Sequence, residues 1–142
     1  MFIDMPSLIE GAFREGASDI HIVKGAPPTL RIAGRLVPSK MPPVTDETIS
    51  EVVSFLAAHT NRPEIAQREV QDREYAFDLS CEVEGLGRMR VHIFHEKGAL
   101  GVSIRLIASQ VPAVVELGIP NTLVDLCSRR GLILVTGPVG SG

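Results

Sequence analysis

The sequence predicts an α+β fold: an antiparallel sheet flanked by helices, then a linker, one helix and a single strand of the parallel-sheet kind. Three observations carry this. Apolar residues recur at helical spacing over 5–13 and 49–57, they alternate at period two over 19–37 and again from 72 to 107, and Leu132-Ile-Leu-Val135 is apolar on both faces.

The elements follow in order. Met5, Leu8, Ile9, Ala12 and Phe13 form one helical stripe, with Pro6 suited to the first helical position and Gly16 just past the end. Asp19-Ile-His-Ile-Val-Lys24 and Thr29-Leu-Arg-Ile-Ala33 read as short strands separated by the break Gly25-Ala-Pro-Pro28. After Gly34, Arg35-Leu-Val is a third strand or a continuation. Thr45 caps a second helix with Asp46 and Glu47 in its first turn and Ile49, Val52, Val53, Leu56 and Ala57 on one stripe, ending near His59. Asn61-Arg-Pro63 predicts a shorter helix over 62–70, within an acidic, solvated stretch from Glu64 to Asp78. Three antiparallel strands run through Tyr75, Phe77 and Leu79, through Met89, Val91 and Ile93, and through Val102, Ile104 and Leu106.

Beyond Val111-Pro112 the pattern changes. Residues 114–120 read as a linker, 121–130 as a helix with Leu123, Leu126 and Cys127 inward, and Gly131 as its stop. A strand buried on both faces belongs inside a parallel sheet, and no other strand of the chain resembles 132–135. The organisation expected is therefore a domain over 1–110, a linker over 111–120 and the start of a second domain over 121–142.

Composition excludes several classes. With 142 residues, 44% hydrophobic and 22% charged, the chain has the material for one domain with a core and is not disordered. Met-Phe-Ile-Asp-Met-Pro carries no signal peptide, and no apolar run is long enough to span a membrane, so the expected location is cytoplasmic without membrane insertion. Cys81 and Cys127 have no His or Cys at ligand spacing, which leaves them as small buried hydrophobes and predicts no metal site. A net charge of −3 speaks against nucleic acid as a partner. Eleven of the fourteen basic residues are Arg, whose planar fork suits carboxylates and phosphates, though codon bias gives the same count.

The end of the chain carries a motif. Gly137-Pro138-Val139-Gly140-Ser141-Gly142, preceded by the apolar run and Thr136, supplies the first six positions of the phosphate loop G-x-x-x-x-G-K-[ST]. Its glycines let backbone N–H groups converge on an anion, while the Lys and the magnesium-binding hydroxyl would follow Gly142.

Several blocks together resemble a known family. Ala17-Ser-Asp-Ile-His-Ile22, Pro27-Pro-Thr-Leu-Arg-Ile32 with Gly34-Arg35, Gly87-Arg-Met-Arg-Val91 with Phe94, Ser103-Ile-Arg-Leu-Ile107, Leu117-Gly-Ile-Pro120 and 131–142 are similar, in order, to the secretion-superfamily hexameric ATPases. The match is best to the type IV pilus retraction (PilT-like) group. The resemblance implies a PAS-like N-terminal domain, a linker, and a RecA-like ATPase domain cut at its phosphate loop. It further implies a homohexameric parent that binds ATP and Mg²⁺, works in twitching motility, and is peripheral to an inner-membrane pilus platform protein. The chain alone is expected to bind neither tightly, and enzymatic activity is expected of the parent. Rival readings are a pilus-assembly or type II secretion ATPase, a stand-alone PAS-like regulatory or binding module, and a shortened P-loop kinase.

The polar residues give the candidate site. A two-residue turn at Lys97-Gly98 pairs residues whose numbers sum to 195, which sets Arg90 opposite Arg105 on the face away from the apolar residues. Like charges so placed call for a counter-ion: either a phosphate between them, or a carboxylate such as Glu74, Asp78 or Glu82 on the neighbouring strand. The resemblance implies the first, with Arg90 and Arg105 reaching the nucleotide γ-phosphate and Arg88 as a weaker candidate. Asp19 and His21 share a strand face without a nucleophile at recognisable spacing, which favours a structural hydrogen bond or an interface over acid/base work. His92 and His95 point to opposite faces, against a shared metal.

Overall fold

The computed structural model describes residues 3–60, 76–96, 98–108 and 113–137, so the helix expected over 62–70 and Glu74 lie outside the described residues. Pro6 sits in the first turn of α1 (Met5–Arg14), where its missing N–H has no intrahelical acceptor to lose. The α1 stripe buries Met5, Ile9 and Ala12. Three strands follow: β1 (Ala17–Val23), β2 (Thr29–Ile32) and β3 (Arg35–Pro38). The last is a separate strand, because Ala33 (φ 47°) and Gly34 (φ 79°) make a two-residue hairpin loop between the paired Ile32 and Arg35. Thr45 caps α2 (Asp46–Ala58), its hydroxyl oxygen accepting from the Thr48 N–H at 3.4 Å. The sheet is completed by β4 (Phe77–Val83), β5 (Gly87–Glu96) and β6 (Ala99–Ile107).

The six strands run in the order β3-β2-β1-β6-β5-β4, with every named pair antiparallel. Joining β1 to β6 at the centre brings the two ends of this unit together. Period-two alternation then sorts the side chains: Ile20, Ile22, Met89, Val91, Ile93, Val102 and Ile104 all turn to one face and are fully buried. Helices α1 and α2 cover that face with Ile9, Ile49, Val52 and Leu56. Each such aliphatic side chain contributes about 1.5–3 kcal/mol of burial, which is why the register cannot slip without exposing the whole set. The opposite face keeps the polar residues.

The chain divides into two compact units, 1–109 and 110–142. Within the second, α3 (Asn121–Cys127) is shorter than the expected 121–130, ending where the Ser128 hydroxyl donates to the Asp125 carbonyl. Leu123 and Leu126 are exposed, and so is Cys127, against the expectation that they face inward. An amphipathic stripe buries only when a second surface meets it, and the described residues of this unit bury none of α3. Of the two cysteines, then, only Cys81 is buried. The expected strand over 132–135 does not form, and Leu132, Leu134 and Val135 are 82%, 75% and 92% exposed. Backbone strand structure needs a ladder partner, which the described part of this unit lacks. A RecA-like sheet is thus not present in residues 113–137.

Candidate functional site

The open face of the sheet is a lattice of polar side chains set by register. One row crosses the strands as Arg31, Asp19, Arg105, Arg90 and Ser80, and the next as Thr29, His21, Ser103, His92 and Asp78. Arg90 is the direct partner of Arg105, as the hairpin arithmetic predicts. Arg88 stands one row out, opposite Ile107 on one side and Glu82 on the other.

The counter-ion comes from an unexpected strand. Arg105 Nε–H donates to Asp19 Oδ1 at 3.1 Å, while Asp19 Oδ2 accepts from the Ser18 hydroxyl at 2.8 Å and lies 3.4 Å from Arg31 Nε. Asp78 is instead paired with His92, 3.3 Å away, and neither Asp78 nor Glu82 forms an ion pair with Arg90 or Arg88 among the described residues. The carboxylate expected from β4 is therefore supplied by β1. Sequence reasoning missed this because the pair is separated by 86 residues and depends on β1 lying next to β6. The only available signal was that Asp19 alternates onto the polar face of its strand.

Electrostatics follow the contacts. Burial opposes ionisation of Asp19, but the Ser18 hydroxyl and Arg105 outweigh it and hold its carboxyl below the usual carboxylate range. His21 is pushed below the usual histidine value by burial first and by Arg31 second, with Asp19 acting the other way. Its ring nitrogens lie 3.4 Å from Arg31 Nη2 and 3.3 Å from Ser103 Oγ, a structural role rather than acid/base work.

Asp19, Asp78, Arg90, His92, Ser103 and Arg105 line a shallow bowl of about 280 Å³. A larger hollow of about 380 Å³ at the β5–β6 turn has Lys24 and Glu96 as its only charged groups among the described residues, and Lys24 is already ion-paired with Asp46. Convergent cations therefore mark the smaller bowl. Two guanidinium groups, of Arg90 and Arg105, share the bowl with the carboxylates of Asp19 and Asp78. Asp19 is engaged by Arg105 and Arg31 and Asp78 by His92, which leaves Arg90 without a carboxylate among the described residues, and a guanidinium so placed suits a phosphate-sized anion. No group of His, Cys, Asp and Glu suited to holding a metal occurs among the described residues. Gly137 is exposed in the second unit, and Pro138, Val139, Gly140, Ser141 and Gly142 lie outside the described residues.

No family model matches the chain. It is 29% identical over 141 residues to the type IV pilus ATPase PilU and 30% identical over 141 residues to the type IV pilus retraction ATPase PilT, both of Pseudomonas aeruginosa. These alignments take in 99% of this chain but 35% and 39% of those proteins, so the chain spans little more than a third of their length. A solved structure of the pilus retraction motor PilT with bound ADP superposes with a TM-score of 0.76 at 34% identity, covering 99% of this chain and 40% of that one. By sequence and by fold, the chain is PilT-like, a homologue of the N-terminal part of the type IV pilus ATPases.

Proposed function

We propose that this chain is the N-terminal part of a hexameric, ATP-hydrolysing motor that drives type IV pilus retraction and hence twitching motility. The observation that carries the reading is the alignment with PilT and PilU over 99% of the chain, including the block that leads into the phosphate loop. On this reading 1–110 is a PAS-like domain, 111–120 a linker and 121–142 the beginning of a RecA-like domain. That domain's sheet would supply the ladder that Leu132–Val135 needs. The motor would act in the cytoplasm against an inner-membrane platform protein. No helix among the described residues is long and apolar enough to cross a membrane.

Within this motor Arg90 and Arg105 face the γ-phosphate, with Arg88 as the outlying cation. ATP supplies the phosphoanhydride, and Mg²⁺ its usual charge neutralisation; this chain supplies the donors around them. Five of the first six loop positions, all but Pro138, would offer backbone N–H groups, and the two arginines guanidinium charge where negative charge builds on the transferred group. The residues present fit an anion but not a complete nucleotide site, because the loop Lys and the magnesium-binding hydroxyl follow position 142 in the motif.

The reading is tested by extending the sequence past Gly142 in its reading frame and assaying the complete product. Lys followed by Ser or Thr, a further 200 or so residues as the type IV pilus ATPases imply, and ATP hydrolysis support it. A stop directly after the glycines would overturn it in favour of a stand-alone module.

A further inference from the structure

We propose that Asp19 is a positioning residue, which grips Arg105 by its Nε–H so that both terminal Nη groups stay free to meet an anion in the bowl. This rests on the reading of Arg105 as a γ-phosphate group and assigns what holds it there.

The geometry separates the two ends of the guanidinium. Of its five N–H donors, one is engaged by Asp19 Oδ1 at 3.1 Å, and no acceptor takes the other four among the described residues. The side chain of Arg105 is 71% exposed while that of Asp19 is 9% exposed, so the carboxylate lies in the floor of the sheet and the fork reaches up from it. The grip is itself fixed. Asp19 stands on β1 between two paired strands, with Arg31 across one ladder and Arg105 across the other. Its second oxygen is held by Ser18 and Arg31. A carboxylate anchored by Ser18 and Arg31 fixes where the Arg105 Nε–H is held before any ligand arrives, which is the preorganisation that a group acting on developing charge requires. Arg90 has no such carboxylate among the described residues, so the two arginines of the pair are held differently.

A structural ion pair and a positioning residue differ in a measurable way. In the complete motor, Asp19→Ala lowers kcat by roughly tenfold or more with KM for ATP changed by less than about threefold, and Asp19→Asn, which keeps an oxygen for Nε–H, falls between it and the parent. Because Asp19 acts through Arg105, the double variant Asp19→Ala/Arg105→Ala matches Arg105→Ala within about twofold. In this chain, NMR of the arginine side chains shows the Arg105 Nε–H exchanging at least about tenfold more slowly than that of Arg90, and Asp19→Asn removes most of the difference. Multiplicative losses in the double variant, or parental kcat in a folded Asp19→Ala or Asp19→Asn motor whose Arg105→Ala is impaired, would overturn the positioning role alone. Parental kcat in Arg105→Ala overturns the γ-phosphate reading and the positioning role with it. Should Asp19→Ala fail to fold, Asp19→Asn and the exchange measurement decide.

Discussion

Arg90 and Arg105 are direct partners across the β5–β6 ladder, yet only Arg105 has a carboxylate among the described residues. The pair is thus neutralised from one side, and its members should respond oppositely to removal. Arg90→Ala relieves a like-charge contact and leaves stability unchanged or raised by up to about 1 kcal/mol. Arg105→Ala strips a buried carboxylate of one of its donors and costs about 1–3 kcal/mol. Urea unfolding of the two variants of this chain checks the sign of the difference, and equal losses would show that the asymmetry has no energetic weight.

Acid should act on this face in two windows. A folded carboxyl held below its ordinary value favours folding whenever it is ionised, so the contribution of Asp19 is complete above about pH 3.9 and is lost as pH falls through its depressed folded pKa. His21 is likewise depressed, which means that the folded state prefers the neutral ring; its contribution is complete above about pH 6.5 and declines below it. Stability measured from pH 3 to 8 should therefore slope in both regions. His21→Gln flattens the upper slope, and Asp19→Asn flattens the lower one.

Local rules were enough for half of the site and could not reach the other half. The Arg90–Arg105 register follows from a two-residue turn, and the polar face from alternation, because both are set within about twenty residues of chain. The Ala33-Gly34 turn carried the same signal, an X-Gly pair between alternating runs, and would have settled β3 as a separate strand. Asp19 gripping Arg105 depends on strand order, which no spacing encodes. The error over Leu123, Leu126 and Cys127 has a different origin: periodicity states which face a helix can bury, while burial needs a partner surface. The same holds for 132–135, whose apolar character describes a sheet interior that residues 113–137 do not contain.

The two thiols should behave unlike each other. Cys127 is exposed on α3, whereas burial pushes the Cys81 thiol up to about 11, so almost no thiolate is present there at neutral pH. A chromogenic disulfide reagent at pH 8 is expected to label one thiol within minutes. The second should react only at the rate at which the sheet opens, and in Cys127→Ser the fast phase should vanish. A fast second thiol would contradict the burial of Cys81 on the core side of β4.

The open face is closed at one end by an aromatic ring lying on a glycine. Phe94 pairs with Gly101 across β5 and β6, and a Cβ added at Gly101 would fall 2.6 Å from the ring atoms Cε2 and Cζ. The same ring stacks on His92, a lining residue of the bowl, with centroids 5.7 Å apart. The clash is with the end of a side chain rather than with backbone, and Gly101→Ala should therefore be accommodated by swinging the ring away. The cost is the lost packing of that ring, about 1–2 kcal/mol, accompanied by changed NMR shifts of the His92 imidazole. In a Phe94→Ala background the ring atoms that crowd the new methyl are gone, and Gly101→Ala should become neutral or stabilise by up to about 1 kcal/mol, since a glycine inside a strand carries an entropic penalty that alanine lacks. A double-mutant cycle on this chain measures the difference directly. Equal cost of Gly101→Ala in both backgrounds would mean that the glycine is required by something other than Phe94.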